Sequence, residues 1–351
     1  MGMDFFRQQD LSRKASRRMV GIYILAVLCV GAAVHALVSL AMAFSAVGRE
    51  GEFGGAFLPV FLNPRLALAT LGVTFALIVV VSLSKIAALK SGGSAVAESM
   101  GGRRVLTTTQ DFNERRLLNV VEEMALASGV AMPCVYVLDG EPGMNAFAAG
   151  YSTKDAAVAV TRGLLDALNR EELQAVIAHE FSHILNGDMK LNIRLVGFLF
   201  GIFALTIVGV GLFHVARMMA FSSGGRSRNK KDNGAAVAAA IVALGLICWI
   251  VGYIGFFFGR VIQSGISRQR EYLADASAVQ FTRNPSGLAN ALKLIGAQGS
   301  VLQSAKAMEV SHMLFASGLK SVFATHPPLA ERIRRWDPDF DGDFSKVRRS
   351  R

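Results

Sequence analysis

Four stretches of this 351-residue chain, residues 19–46, 66–89, 195–216 and 235–258, are apolar over lengths that a globular core rarely demands. A helix needs about 20 such residues to cross the hydrocarbon of a bilayer, where no water serves the backbone and only a hydrogen-bonded helix hides its polar groups. The chain must therefore reconcile four membrane-length helices with whatever polar unit it also builds. The first stretch follows a basic start and contains Ala41-Met42-Ala43, which has the form of a signal cleavage site. Its apolar run far exceeds the roughly 7–15 residues of a signal h-region, which favours an uncleaved anchor.

Charge sets the expected orientation. Arg7, Arg13, Lys14, Arg17 and Arg18 precede the first stretch, and Lys85, Lys90, Arg103 and Arg104 end or follow the second. The connection between the two stretches carries only Arg49, Glu50 and Glu52 before Pro64. The positive-inside tendency then puts the N-terminus and residues 91–194 in the cytoplasm. Arg194 precedes the third stretch, and the link to the fourth holds Arg217, Arg226, Arg228, Lys230 and Lys231 against Asp232. A hairpin would export that basic loop against the same tendency. Either it crosses regardless, the favoured reading, or the hairpin lies shallowly in the membrane; both return the chain to the side it left. The net charge of +11 reflects these flanks in part. No nucleic-acid motif accompanies it, so the lipid bilayer and not nucleic acid is the expected partner. Cys29, Cys134 and Cys248 have no paired spacing, which excludes a disulfide framework and fits a reducing compartment.

The polar part carries chemistry. Residues 179–183 read His-Glu-Phe-Ser-His inside an apolar helical run, so His179 and His183 share one helix face within reach of one metal ion. Glu180 is then placed to take a proton from an attacking water. Asn169 followed by Glu172 has the form of a capping box, and Gly187 marks the helix end. The alternative is a pair of hydrogen-bonded core histidines, at the cost of buried charge without a metal. A third ligand is needed. Met189 stands where a metzincin would have its third histidine, and His35 and His214 fall in apolar segments, leaving His312 and His326. The better candidate is a second helix, in which Ser267-Arg268-Gln269-Arg270-Glu271-Tyr272-Leu273-Ala274-Asp275 sets Glu271 and Asp275 at i and i+4. Glu271 can complete the metal site and Asp275 can hold the far nitrogen of a ligating histidine. The same residues read equally well as a solvated charge face.

Around these motifs the pattern predicts a helix over residues 112–128, a strand at 135–138 and a hairpin from 145–150 and 156–161, after a glycine-marked flexible lead-in (Gly92, Gly93, Gly101, Gly102). A helix over 285–298 and a final short helix after Pro327-Pro328 follow. If the histidine helix ran straight into the third apolar stretch, His183 to Arg194 would span about 16 Å. The organisation expected is a basic cytoplasmic N-terminus (1–18), two transmembrane helices (19–90), a first part of the catalytic domain (91–194), a hydrophobic hairpin (195–260), and the second part with the tail (261–351).

Asn145-Ala146-Phe147, the His-Glu-Phe-Ser-His core with Asn186 and Asp188 after it, the run 267–275, and Thr325-His326-Pro327-Pro328-Leu329-Ala330-Glu331-Arg332-Ile333 occur in this order. Together they resemble the HtpX-type membrane metalloproteases, relatives of the CAAX prenyl proteases, over about 111–191 and 267–336. The resemblance implies an α+β fold: a mostly helical, gluzincin-like domain with a small edge sheet, plus four transmembrane segments. It implies one Zn2+ on His179, His183 and Glu271, with Glu180 as general base and acid. Asn145, Ala146 and Phe147 would form the substrate-binding edge, and His326 with Arg332 would help hold the developing oxyanion. The implied substrates are misfolded or damaged membrane proteins, cleaved at the cytoplasmic face of the inner membrane. Site-specific processing of prenyl-peptide type, or a non-catalytic scaffold or transporter, are the competing readings. Residues before about Arg18 and after Asp337 carry no motif.

Overall fold

The computed structural model describes residues 5–50, 53–90, 92–223, 233–298 and 327–347, and the chain divides into two units. His326 and the basic link residues Arg226, Arg228, Lys230 and Lys231 lie outside the described residues.

One unit, Arg18–Ile86 with Val196–Arg260, is built from α1 (Phe5–Glu50), α2 (Phe53–Phe61), α3 (Pro64–Ala88) and the apolar parts of α8 (Asp188–Ser223) and α9 (Asn233–Thr282). Among the described residues, four helices are long and apolar enough to cross a membrane: Gly21–Ala43, Pro64–Ala88, Asp188–Met219 and Val237–Thr282. Because lipid is as apolar as leucine, such helices hold together by close packing and not by hiding from solvent. Val30, Val34, Ile78, Ile202, Leu205 and Val251 form the inner cluster, while Leu68 and Val73 stay 78% and 70% exposed on the outside. Glycines permit the approach: a Cβ on Gly201 would stand 2.6 Å from the Ile78 carbonyl oxygen, and one on Gly252 would stand 2.6 Å from the Thr206 nitrogen. The two intramembrane histidines are satisfied locally. His35 bonds Thr70 Oγ1 through Nδ1 (2.8 Å) and the Phe61 carbonyl through Nε2 (3.0 Å), and His214 bonds the Val210 carbonyl (2.9 Å).

The other unit joins Met1–Arg17, Ala87–Leu195 and Val261–Arg351. Its sheet has the order β1-β2-β4-β3, from β1 (Arg103–Arg104), β2 (Cys134–Leu138), β3 (Ala146–Ala149) and β4 (Ala157–Thr161). β2 and β4 run parallel, and the expected hairpin forms between β3 and β4, with Ala146 opposite Val160 and Ala149 opposite Ala157. Side chains alternate between two cores, as strand pleating requires. Val135, Val137, Ala146, Ala148, Val158 and Val160 face the main core. There they meet α5 (Phe112–Ser128), α6 (Arg162–Ala167), α7 (Arg170–Asn186) and α10 (Pro285–Gln298). Tyr136, Leu138, Phe147, Ala157 and Ala159 face α4 (Gly93–Ser99). A short helix, α11 (Leu329–Arg334), closes the main core with Ile333.

Two features differ from the sequence expectation. The glycine-marked lead-in is ordered: Gly93 starts α4, its N–H donates to the Asp155 carbonyl (3.0 Å), and a Cβ there would stand 2.6 Å from the Ala157 nitrogen. Glycine is used for close approach here, not for flexibility. The segment holding Glu271 and the fourth apolar stretch are also one uninterrupted helix, α9.

A charge network pins the start of α5. Asp111 caps it, accepting from the N–H of Asn113 (2.8 Å) and Glu114 (3.2 Å). Buried Glu114 accepts from Arg103 (2.5 Å), Thr109 (2.6 Å) and Arg162 (3.1 Å). The Arg103 hydrogen bond holds the Glu114 carboxyl below its usual range; burial opposes this, and Thr109 and Arg162 reinforce it. A pKa lowered by folding gives stability that is present above the unfolded value, near 4.3, and is lost as pH falls through the folded value. Glu114→Gln is expected to destabilise the unit by about 1–3 kcal/mol at neutral pH and to flatten the acid limb, as read from thermal melts of the full chain between pH 7 and 4.

Candidate metal centre

Local sequence forces the histidine helix into place. The Asn169 side chain accepts from the Glu172 N–H (2.9 Å) and Glu172 accepts from the Asn169 N–H (2.9 Å), so the capping box read from the sequence forms. Leu173, Val176, Ile177, Phe181 and Ile184 are buried in the main core, which leaves His179 and His183 no freedom of face. The helix ends at Gly187, whose φ of 69° is the left-handed conformation that glycine adopts at little cost. α7 therefore does not run straight into α8: one residue breaks it. In a continuous helix, residues five apart point about 140° away from each other. The break instead brings Asp188 back under its neighbour, with Asp188 Oδ2 2.7 Å from His183 Nδ1.

The second helix supplies the rest. Asp275 Oδ1 lies 2.9 Å from His179 Nδ1, so a carboxylate holds each imidazole by Nδ1. A metal ion on both Nε2 atoms would leave a proton on each Nδ1, where a carboxylate stands to receive it, and the two Nε2 atoms converge to 3.1 Å. Glu271 offers Oε2 at 3.5 Å from His179 Nε2 and Oε1 at 3.5 Å from His183 Nε2. Three ligand atoms about 2.0–2.2 Å from one tetrahedral centre would stand about 3.3–3.6 Å apart. His179, His183 and Glu271 form a group that could hold a metal ion, and their donor set fits one.

Charge gives a second test of fit. Among the described residues, Glu180, Glu271, Asp275 and Asp188 gather here, each at most 5% exposed. Two guanidiniums face them. Arg332, fully buried, donates from Nε and Nη2 to the two oxygens of Asp275 (2.9 and 2.7 Å) and brings Nη1 to 3.5 Å from Glu271. Arg270 Nη2 is 2.5 Å from Asp188 Oδ1. If a metal ion on Nε2 kept both imidazoles neutral and all four carboxylates ionised, four carboxylates against two guanidiniums would leave two negative charges for a divalent cation to cancel; without the ion, protons on the histidines offset the same field. Protons feel the same field: burial would lower the His179 pKa, yet Asp275 and Glu271 hold it up at about 9.

Glu180 sits beside this group with both carboxylate oxygens buried and without a hydrogen bond that meets ordinary geometry. Burial raises its pKa, while the charges of His183 and His179 and the Ala148 N–H pull the other way. Ala148 lies on β3, the edge strand. Because the Thr161 N–H donates to the Asn145 carbonyl (3.0 Å), Asn145 and alternate residues pair with β4, and the N–H and C=O groups of Ala146 and Ala148 turn outward. Asn145 Oδ1 caps the Ala146 N–H (3.0 Å), and Phe147 packs on the α4 side. The structure gathers the sequence-proposed His179, Glu180, His183, Glu271 and Asp275 at one place, and of the residues that the resemblance set at the edge, Ala146 and Phe147 lie on β3 with Asn145 just before it. Sequence reasoning assigned no task to Asp188, Arg270 or Ala148. The signal for Asp188 was the glycine before it.

The fold and this centre define a membrane metalloprotease, and the chain belongs to peptidase family M48, whose sequence model matches residues 111–337. It is HtpX-like. A protease HtpX homolog of Listeria monocytogenes serotype 4a is 38% identical over 285 residues, 78% of this chain and 86% of the relative. Those of Streptococcus uberis (38% over 250 residues; 68% of this chain, 77% of the relative) and Caldanaerobacter subterraneus subsp. tengcongensis (45% over 230 residues; 62% and 70%) are similar. The crystal structure of S. mikatae Ste24p superposes with a TM-score of 0.46 at 22% identity, covering 84% of this chain and 64% of that one, less than two thirds of its length.

Asp188→Asn keeps the shape but gives up the charge that holds His183. It is expected to weaken metal binding by about 10–100-fold, measured by competition with a chromogenic chelator.

Proposed function

We propose that the chain is a zinc endopeptidase of the cytoplasmic membrane that hydrolyses misfolded or damaged membrane proteins at its cytoplasmic face. The observation that carries the reading is the convergence of the His179, His183 and Glu271 donor atoms on one small volume, with Glu180, Asp275 and Asp188 buried around it. Two imidazoles and a carboxylate suit zinc among divalent ions, with His179, His183 and Glu271 as ligands. When bound, zinc supplies Lewis acidity that lowers the pKa of water and polarises a carbonyl.

The chain's own residues do the remaining work. Asp275 and Asp188 orient the two histidines, and Arg332 and Arg270 hold those carboxylates in turn. Glu180 takes the proton of the attacking water and returns it to the leaving amine; its buried carboxylate, without a side-chain hydrogen bond, and its place between the ligands and β3 suit both tasks. Arg332, with His326, steadies the charge that develops on the carbonyl oxygen. An extended substrate pairs with the outward groups of Ala146 and Ala148 beside Asn145 and Phe147, so backbone contacts give affinity with little demand on sequence. Such a site suits unfolded segments of many proteins.

Topology supports the compartment. Basic residues before the first apolar span and at the end of α3 favour a cytoplasmic N-terminus and catalytic domain. Close packing of α8 and α9 at Gly252 and Thr206 suits a pair of full spans inserted into the protease domain.

Glu180→Gln is expected to bind zinc normally and to lose about 10²–10⁴-fold in cleavage of an unfolded reporter. Glu271→Ala is expected to lose the metal itself. Full cleavage by Glu180→Gln, in preparations free of other proteases, would overturn the assignment; proteomics of membranes carrying that variant would name the substrates that accumulate.

A further inference from the structure

The loop between β3 and β4 carries a side chain that the proposed chemistry does not use. Tyr151 is half-buried there, with Lys90 Nζ 4.6 Å and Lys190 Nζ 5.0 Å from its ring centre. Burial would raise the phenol pKa. Arg194 and Lys90 at the hydroxyl, with the charge of Lys190, lower it instead. Three cations thus converge on one tyrosine.

Within the same unit, Arg103, Arg162, Arg270 and Arg332 are all paired with carboxylates. Among the described residues, no carboxylate makes an ion pair with Lys90, Lys190 or Arg194. The nearby acid, Asp155, is otherwise engaged. Its oxygens accept from the N–H groups of Tyr151 (3.0 Å) and Ser152 (2.6 Å) and from the Ser152 hydroxyl (2.6 Å). These bonds set the loop and leave the cations uncompensated. Gathering like charges costs free energy, which an anion from outside the chain would offset.

Chain position indicates which anion. Lys90 stands two residues beyond the end of α3, and Lys190 and Arg194 lie in the first two turns of α8, Arg194 directly before the apolar run from Leu195. Residues that flank spanning helices stand at the depth of lipid phosphates, where anionic headgroups attract lysine and arginine. We propose that Lys90, Lys190, Arg194 and the Tyr151 hydroxyl form a binding site for the phosphate of an anionic phospholipid headgroup. The guanidinium and ammonium groups pair with the phosphate oxygens, and the hydroxyl donates a further hydrogen bond. The inference rests on the membrane-spanning reading of α3 and α8 and is independent of the zinc chemistry. Its consequence reaches the catalytic group: the occupied loop would steady the β3–β4 hairpin, whose Ala148 N–H faces Glu180.

The test uses the full chain in detergent micelles, with lipid retention read by native mass spectrometry. Wild type should keep one phosphatidylglycerol under activation that strips phosphatidylcholine. The triple variant Lys90→Gln/Lys190→Gln/Arg194→Gln should lose that preference by about tenfold or more. Arg13→Gln/Lys14→Gln/Arg17→Gln, which removes equal charge from the N-terminal segment, should keep it. Circular dichroism and thermal melts report folding, and if the triple variant is unfolded, Lys190→Gln and Arg194→Gln singly are read the same way. Undiminished retention by the folded variants, equal loss in the N-terminal control, or complete displacement of the lipid by inorganic phosphate at buffer concentrations would each overturn the proposal.

Discussion

An imidazole offers a lone pair in a chosen direction only if its other nitrogen is held, and here carboxylates hold both. Asp275 engages His179 and Asp188 engages His183, each through Nδ1, so both Nε2 atoms face the same small volume 3.1 Å apart. Without these two contacts the rings could turn, and the convergence of the two Nε2 atoms would be lost. Each carboxylate is anchored by an arginine on another segment, Arg332 for Asp275 and Arg270 for Asp188. Burying so much charge costs free energy that a divalent cation would offset, so the polar interior reads as a metal socket more readily than as a stabilising core.

Much of the architecture serves those two bonds. The capping box and the apolar face of α7 set the rotation of the histidines, and Gly187 stops the helix so that Asp188 can return beneath His183. α9 carries Arg270, Glu271 and Asp275 on neighbouring turns, so one helix delivers a ligand, an orienting carboxylate and the guanidinium that holds the other one. α11, only six residues long, contributes Arg332, the largest fully buried side chain among the described residues. The edge strand then brings a backbone N–H up to Glu180, joining the metal group to the place where an extended chain could pair.

What could be read from the chain followed from periodicity. The i and i+4 spacing of His179 and His183, and of Glu271 and Asp275, puts each pair on one helix face, and the hairpin of β3 and β4 announced itself by turn residues between apolar runs. The apolar stretches were equally plain, because membrane length leaves few alternatives. Illegible were the features that depend on which distant segments meet. Arg270 and Asp188 are 82 positions apart in sequence, and nothing local marks them as partners. Gly93 reads as a flexible linker, yet its missing side chain is what admits the backbone of β4. The one-residue break at Gly187 was visible only as a helix stop, without the consequence for Asp188. Arg332 was picked out by resemblance, and only the structure places its guanidinium on Asp275.

The most direct test of the account is X-ray absorption at the zinc edge on the purified, zinc-loaded chain, beside His183→Gln and Asp188→Asn. The wild-type spectrum should show two imidazole nitrogens at about 2.0–2.1 Å with oxygen completing the shell. His183→Gln should lose one imidazole, and Asp188→Asn should keep both with greater disorder. A shell of oxygen alone, one containing sulfur, or an unchanged imidazole count in His183→Gln would contradict a metal socket built on these two histidines.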